Sequence, residues 1–74
     1  MKDFLIEKID ELAFSTVEVD DKLWASEILD SITVVELAVE IENEYNIKIP
    51  FDEIIVENFE TVNLLINYIK QKLA

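Results

Sequence analysis

The sequence predicts an all-α protein: a small antiparallel bundle of three main helices plus one short helix, with a long first loop. Three observations lead there. Apolar residues recur at helical spacing in three separate stretches, which begin near Asp3, Ser31 and Thr61. Start and stop signals bracket them, since Asp30 and Thr61 are cap residues and Pro50 follows the second stretch. The chain is also short, at 74 residues, and 51% hydrophobic without a cysteine, so residues 1–74 are expected to form one domain with no disulfide beneath its core. A domain of this size buries only about 60% of the surface its unfolded chain exposes.

From Asp3 to Phe14, the apolar residues Leu5, Ile6, Ile9, Leu12 and Ala13 alternate with Glu7, Lys8, Asp10 and Glu11 in the pattern of an amphipathic helix. Val17-Glu18-Val19-Asp20 breaks that period. The segment up to Leu29 reads as a long ordered loop anchored by Val17, Val19, Leu23, Trp24 and Ile28, with room for a helical turn within residues 21–26. Trp24, a lone aromatic among aliphatics, reads as a core plug. The second helix, Ser31 to Tyr45, has a core stripe of Val34, Leu37, Ala38, Ile41 and Tyr45. It has a second apolar stripe of Ile32, Val35 and Val39, edged by Glu36, Glu40 and Glu42. That stripe is either a docking surface or a second buried seam, and periodicity does not choose between them. Asn46-Ile47-Lys48-Ile49-Pro50 ends the helix, because the residue before proline is pushed out of the helical region. A short helical turn fits Phe51–Ile55, and Glu57-Asn58-Phe59-Glu60 reads as a connector that inserts Phe59 into the core. Thr61 then caps a last helix on which Val62, Leu65, Ile66, Ile69 and Leu73 repeat at helical spacing, with Lys70 and Lys72 at its C-terminal end.

Six basic against seventeen acidic residues leave a net charge of −11. This density of negative charge opposes nucleic acid or anionic lipid as a partner and matches basic protein surfaces, although acidity also serves solubility alone. Histidine, cysteine and glycine are all absent. Ser-His and Cys-His pairs, a glycine-rich phosphate cradle and soft or imidazole zinc ligands are therefore excluded. Asp20-Asp21 and Asp52-Glu53 lack the spacing and the glycine of a calcium loop, so no metal site is expected. Nothing here reads as an enzyme. The opening Met1-Lys2-Asp3 has no basic leader with a long apolar stretch behind it, and no run approaches the ~20 apolar residues of a membrane span. The expectation is a soluble, monomeric, cytoplasmic protein without membrane insertion.

Leu29-Asp30-Ser31-Ile32 is the stretch that carries function. Asp30 can cap the second helix through its carboxylate, which leaves Ser31 at the first helical position with its hydroxyl toward solvent. A phosphate ester formed there would lie beside unpaired backbone N–H groups and the positive end of the helix dipole. Asp-Ser ahead of an apolar run is in itself an ordinary helix start, so the surroundings must decide.

Those surroundings resemble the acyl carrier proteins, the phosphopantetheine-attachment family, over nearly the whole chain. The resemblance rests on Asp30-Ser31-Ile32, on Val35-Glu36-Leu37 and Ile41-Glu42-Asn43-Glu44-Tyr45, then on Ile47-Lys48-Ile49-Pro50 and on Thr61-Val62 opening the last helix. It implies an antiparallel helical bundle in which Ser31 carries a covalent 4′-phosphopantetheine arm taken from coenzyme A. Asp30 would be read by the phosphopantetheinyl transferase, and Ile32, Val35, Glu36, Val39, Glu40 and Glu42 would face partner enzymes. Cargo would travel as a thioester on the arm, so a chain without cysteine loses nothing. The implied partners are an acyl- or aminoacyl-activating ligase or an acyltransferase, and a downstream synthase or transferase with a basic docking patch. Two departures bear on the type of carrier. Ser26-Glu27-Ile28-Leu29 stands where many fatty-acid carriers have a glycine shortly before Asp-Ser, and Thr33 stands where an acidic residue is usual. Ile28-Leu29-Asp30-Ser31 and Glu57-Asn58-Phe59 look more like D-alanyl, other aminoacyl and specialised-pathway carriers, which ranks a stand-alone carrier of that kind above one for general fatty acid biosynthesis and lipid metabolism. The rival reading is a non-catalytic acidic adaptor that docks a basic partner through residues 31–45 and never bears an arm.

Overall fold

A computed structural model describes residues 1–74. Four α-helices follow in the order α1 (Lys2–Ala13), α2 (Ser31–Tyr45), α3 (Val56–Phe59) and α4 (Val62–Leu73), with a single 3-10 turn at Phe51–Glu53 and no strand. The helices form a small bundle in which α1 packs on α2 and α4, and α3 packs on α4. Fifteen apolar side chains make one core, among them Leu5 and Ile9 of α1, Leu37 and Ile41 of α2, Phe59 of α3, and Leu65 and Ile69 of α4. At the seam of α1 and α2 the Phe4 and Tyr45 rings meet edge to face, 5.6 Å apart, and Lys8 bridges to Glu40 at 3.3 Å.

Helix α1 stops one residue before its apolar pattern does. Phe14 takes the left-handed conformation (φ 55°) and its N–H donates to Asp10 O at 2.9 Å, which closes the helix and leaves the ring 90% exposed. The long connection to α2 is ordered by side chains and backbone together. Val17, Leu23 and Leu29 are buried, and Val19, Trp24 and Ile28 pack against the core. Residues 19–25 are also tied to the junction of α3 and α4. Asn63 N–H donates to Val19 O at 3.1 Å, the Asn63 amide donates to Asp20 Oδ1 at 2.7 Å, and Leu23 N–H donates to Glu60 O at 2.7 Å. The expected helical turn is present as a single hydrogen-bonded turn, with Ser26 N–H on Lys22 O at 3.1 Å.

The second half of the chain departs from the sequence reading in two places. The short helical turn read at Phe51–Ile55 is present as the 3-10 turn Phe51–Glu53, whereas the stretch read as a connector holds α3, one helical turn that carries Phe59 into the core. Four residues are too few to display a period, so the pattern could not reveal it. On α4 the buried face includes Tyr68 and leaves out Leu73. Tyr68 lies three residues after Leu65 on the same face, and it can be buried because its hydroxyl donates to Glu53 Oε1 at 2.5 Å. Lys72 reaches the same oxygen at 2.7 Å, and this cluster fastens the 3-10 turn to α4. The Lys72 and Tyr68 bonds hold the Glu53 carboxylate below the ordinary range, whereas burial, reinforced by Glu53, pushes the Tyr68 hydroxyl up.

Candidate functional site

Asp30 has an extended backbone (φ −100°, ψ −177°), and the helix begins at the next residue. Its carboxylate Oδ1 accepts the N–H groups of Thr33 at 2.7 Å and Ile32 at 3.0 Å. An acidic side chain is favoured here because the first N–H groups of a helix have no partner within it and the dipole adds positive potential. The Thr33 hydrogen bonds, with Ile32 behind them, hold the Asp30 carboxyl below the usual carboxylate range. Ser31 is the first residue of α2 and is exposed. With Asp30 supplying the cap, the Ser31 hydroxyl is not needed for one.

A cavity of ≈ 260 Å³ opens beside Ser31, lined by Trp24, Leu29, Asp30, Ser31, Val34, Val35, Phe51 and Ile54. Trp24 is therefore more than a core plug. It packs against the core and also forms a wall of this cavity, and its indole N–H is buried without a protein acceptor. Phe51 and Ile54 come from the 3-10 turn and its end, so the Glu53 cluster on α4 fixes that wall. An exposed serine with an open, apolar-walled cavity beside it has room for a substituent, and Asp30 is the one charged residue of the lining.

The second apolar stripe of α2 is a surface and not a seam. Ile32 is 70% exposed, Val35 38% and Val39 47%, with Glu36 also exposed on the same helix. Glu40 and Glu42 differ from them. Glu40 is engaged by Lys8, whose ammonium is held above its ordinary range mainly by that contact, and Glu42 Oε2 accepts the Ile49 N–H at 2.8 Å. The six residues read from the sequence as partner-facing thus divide into four that are free and two that also brace the chain. Three residues around the site were not singled out by sequence reasoning. Phe51 follows a proline as an isolated aromatic and leaves no periodic trace. Glu27 is revealed only by its left-handed backbone (φ 63°), and Glu60 only by contacts that span 35 and 36 residues.

No helix is long and apolar enough to cross a membrane. Residues 6–69 match the family model described as the phosphopantetheine attachment site. The chain is 38% identical over 72 residues to the D-alanyl carrier protein of Streptococcus equi subsp. zooepidemicus (strain MGCS10565), covering 95% of this chain and 91% of that protein. The D-alanyl carrier protein of Streptococcus equi subsp. equi (strain 4047) matches to the same extent. With an all-helical fold and a match across nearly its whole length, the chain belongs to the phosphopantetheine-attachment family, non-catalytic carriers that bear a covalent 4′-phosphopantetheine.

Proposed function

We propose that Ser31 is the attachment residue and that the chain works as a stand-alone aminoacyl carrier, with D-alanine as its cargo. The observation that carries this reading is the placement of Ser31, exposed as the first residue of α2 while Asp30 supplies the cap. In the active site of a phosphopantetheinyl transferase, Ser31 Oγ would lose its proton and attack the pantetheine-side phosphorus of the coenzyme A pyrophosphate, so that the new P–O bond replaces the pyrophosphate P–O bond and adenosine 3′,5′-bisphosphate leaves. Asp30 holds the first turn of α2 in shape and offers the transferase a charged landmark beside the hydroxyl. The bound arm supplies a thiol on which cargo is held as a thioester. The chain's own part is then to present that arm and to be recognised.

Recognition falls to Ile32, Val35, Glu36 and Val39, an apolar strip beside a free carboxylate that suits a partner with an apolar centre and a basic rim. Glu40 and Glu42 lie at its margin. The partners are an ATP-dependent ligase that loads the amino acid and a downstream transferase that removes it, and the natural setting is the cytoplasm. The name of the relatives supports D-alanine, and Ser26-Glu27-Ile28-Leu29 and Thr33 in place of the residues usual in fatty-acid carriers support an aminoacyl over a fatty-acyl cargo.

The test is incubation with a broad-range phosphopantetheinyl transferase and coenzyme A, followed by a D-alanine ligase and ATP, with intact mass read after each step. The expected result is one arm, then one D-alanyl thioester, both lost in Ser31→Ala. An arm that accepts fatty acyl groups but not D-alanine would overturn the cargo and leave the attachment. Tight binding of a basic partner by unmodified protein, indifferent to Ser31, would favour the acidic adaptor.

A further inference from the structure

Ser31 stands at the end of a closed turn. Leu29 N–H donates to Leu23 O at 3.0 Å, which closes residues 23–29 into a ring, and Glu27 N–H donates to Trp24 O at 3.0 Å within it. Asp30 and Ser31 follow directly, so where this ring sits decides where the start of α2 meets the cavity walled by Trp24. The ring's own sequence does not favour its shape. Glu27 lies in the left-handed region at φ 63°, a conformation that glycine adopts freely and a residue with a Cβ does not.

The restraint comes from a distant residue. Glu60, between α3 and α4, accepts the Leu23 N–H on its backbone oxygen at 2.7 Å. Its carboxylate Oε1 accepts the Trp24 N–H at 2.8 Å and the Ala25 N–H at 3.3 Å. One residue thus satisfies three successive N–H groups of the ring, two of them through a charged acceptor, which makes the stronger kind of hydrogen bond. We propose that Glu60 is a positioning residue for the modification of Ser31: through Leu23, Trp24 and Ala25 it holds the ring that sets Asp30 and Ser31 against the transferase. This inference rests on the assignment of Ser31 as the attachment residue.

The test is the steady-state kinetics of arm transfer from coenzyme A, with the whole carrier as varied substrate, for wild type, Glu60→Ala, Glu60→Gln and Glu60→Ala combined with Glu27→Gly. In Glu60→Ala, kcat is expected to fall roughly tenfold, because small misplacement of a reacting group is costly. KM should stay within about twofold, since the docking strip on α2 is untouched. Glu60→Gln should recover most of kcat, as its amide oxygen can accept the same N–H groups, and Glu27→Gly should recover part of it by relieving the ring. A merely structural role gives the opposite split: unfolded carrier does not occupy the transferase, so KM rises at unchanged kcat, and that result overturns the proposal. Should Glu60→Ala fail to fold, Glu60→Asp withdraws the carboxylate by one methylene while keeping the backbone acceptor. An unchanged kcat in that variant overturns the proposal equally. Wild type that accepts no arm overturns the Ser31 assignment and this proposal with it. Wild type that accepts an arm at the same kcat as Glu60→Ala overturns the positioning role alone.

Discussion

The Asp30 carboxylate accepts two N–H groups, and it does so more strongly ionised than neutral, which ties the start of α2 to pH. Its pKa is depressed in the folded chain, chiefly by Thr33, so its contribution is fully present above the unfolded value of about 3.9 and is lost as pH falls through the lower folded value. Amide exchange at Ile32 and Thr33 should therefore quicken at the acid end ahead of exchange in the middle of α2. In Asp30→Asn, whose neutral oxygen still accepts, that local pH response should disappear. Glu27 offers a second test. A glycine in its place should stabilise the protein by about 1 kcal/mol, seen as a higher denaturation midpoint at unchanged slope, because the left-handed conformation then carries no Cβ penalty. The Asp30 cap and the start of α2 at Ser31 were legible in the sequence because caps are local chemistry. The backbone of Glu27 was not, since a glutamate gives no local sign that it will sit at positive φ.

Elements were legible in proportion to their length. α2, with fifteen residues, shows its full period and its N-cap, and its bounds Ser31–Tyr45 agree with the reading from sequence. The 3-10 turn and α3, with three and four residues, show none, and their form depends on partners elsewhere. Glu53, Tyr68 and Lys72 are such partners, drawn from two elements fifteen or more residues apart. Tyr68→Phe removes one hydrogen bond from the cluster and keeps the ring against Phe59, so it should cost about 1 kcal/mol in chemical denaturation. The loss should be local, with faster amide exchange in residues 51–54 and little change in α1. Whether the outer stripe of α2 was surface or seam also lay beyond the sequence. Ile32, Val35 and Val39 have the same period whether or not a fourth long helix covers them, and only the packing of α1 and α4 leaves them open.

For the molecule as a whole, composition already gave the charge. Only three ion pairs join side chains, all partly exposed, and the net charge is −11, so self-repulsion is a general load on the folded state. Raising sodium chloride from 10 mM to 500 mM shortens the screening length from about 30 Å to below 10 Å. The melting temperature should rise by several degrees, because 1 kcal/mol shifts a domain of this size by about 4–8 °C. A fall would mean that the ion pairs outweigh the repulsion. The path of residues 14–30 could not be read at this scale. Its anchors Val17, Leu23 and Leu29 were visible as apolar residues, yet the hydrogen bonds from Asn63 and to Glu60 that fix its course join parts of the chain that are remote in sequence.

The central claim is that Ser31 bears the arm, and the most direct measurement is intact mass of the protein isolated from cells co-expressing a phosphopantetheinyl transferase, with peptide mapping across residues 23–48. The account predicts a single phosphopantetheine adduct on Ser31 and none in Ser31→Ala, whose amide spectrum should remain that of the folded protein because Asp30 still caps α2. An unmodified chain, or an adduct that maps to another residue, would contradict it.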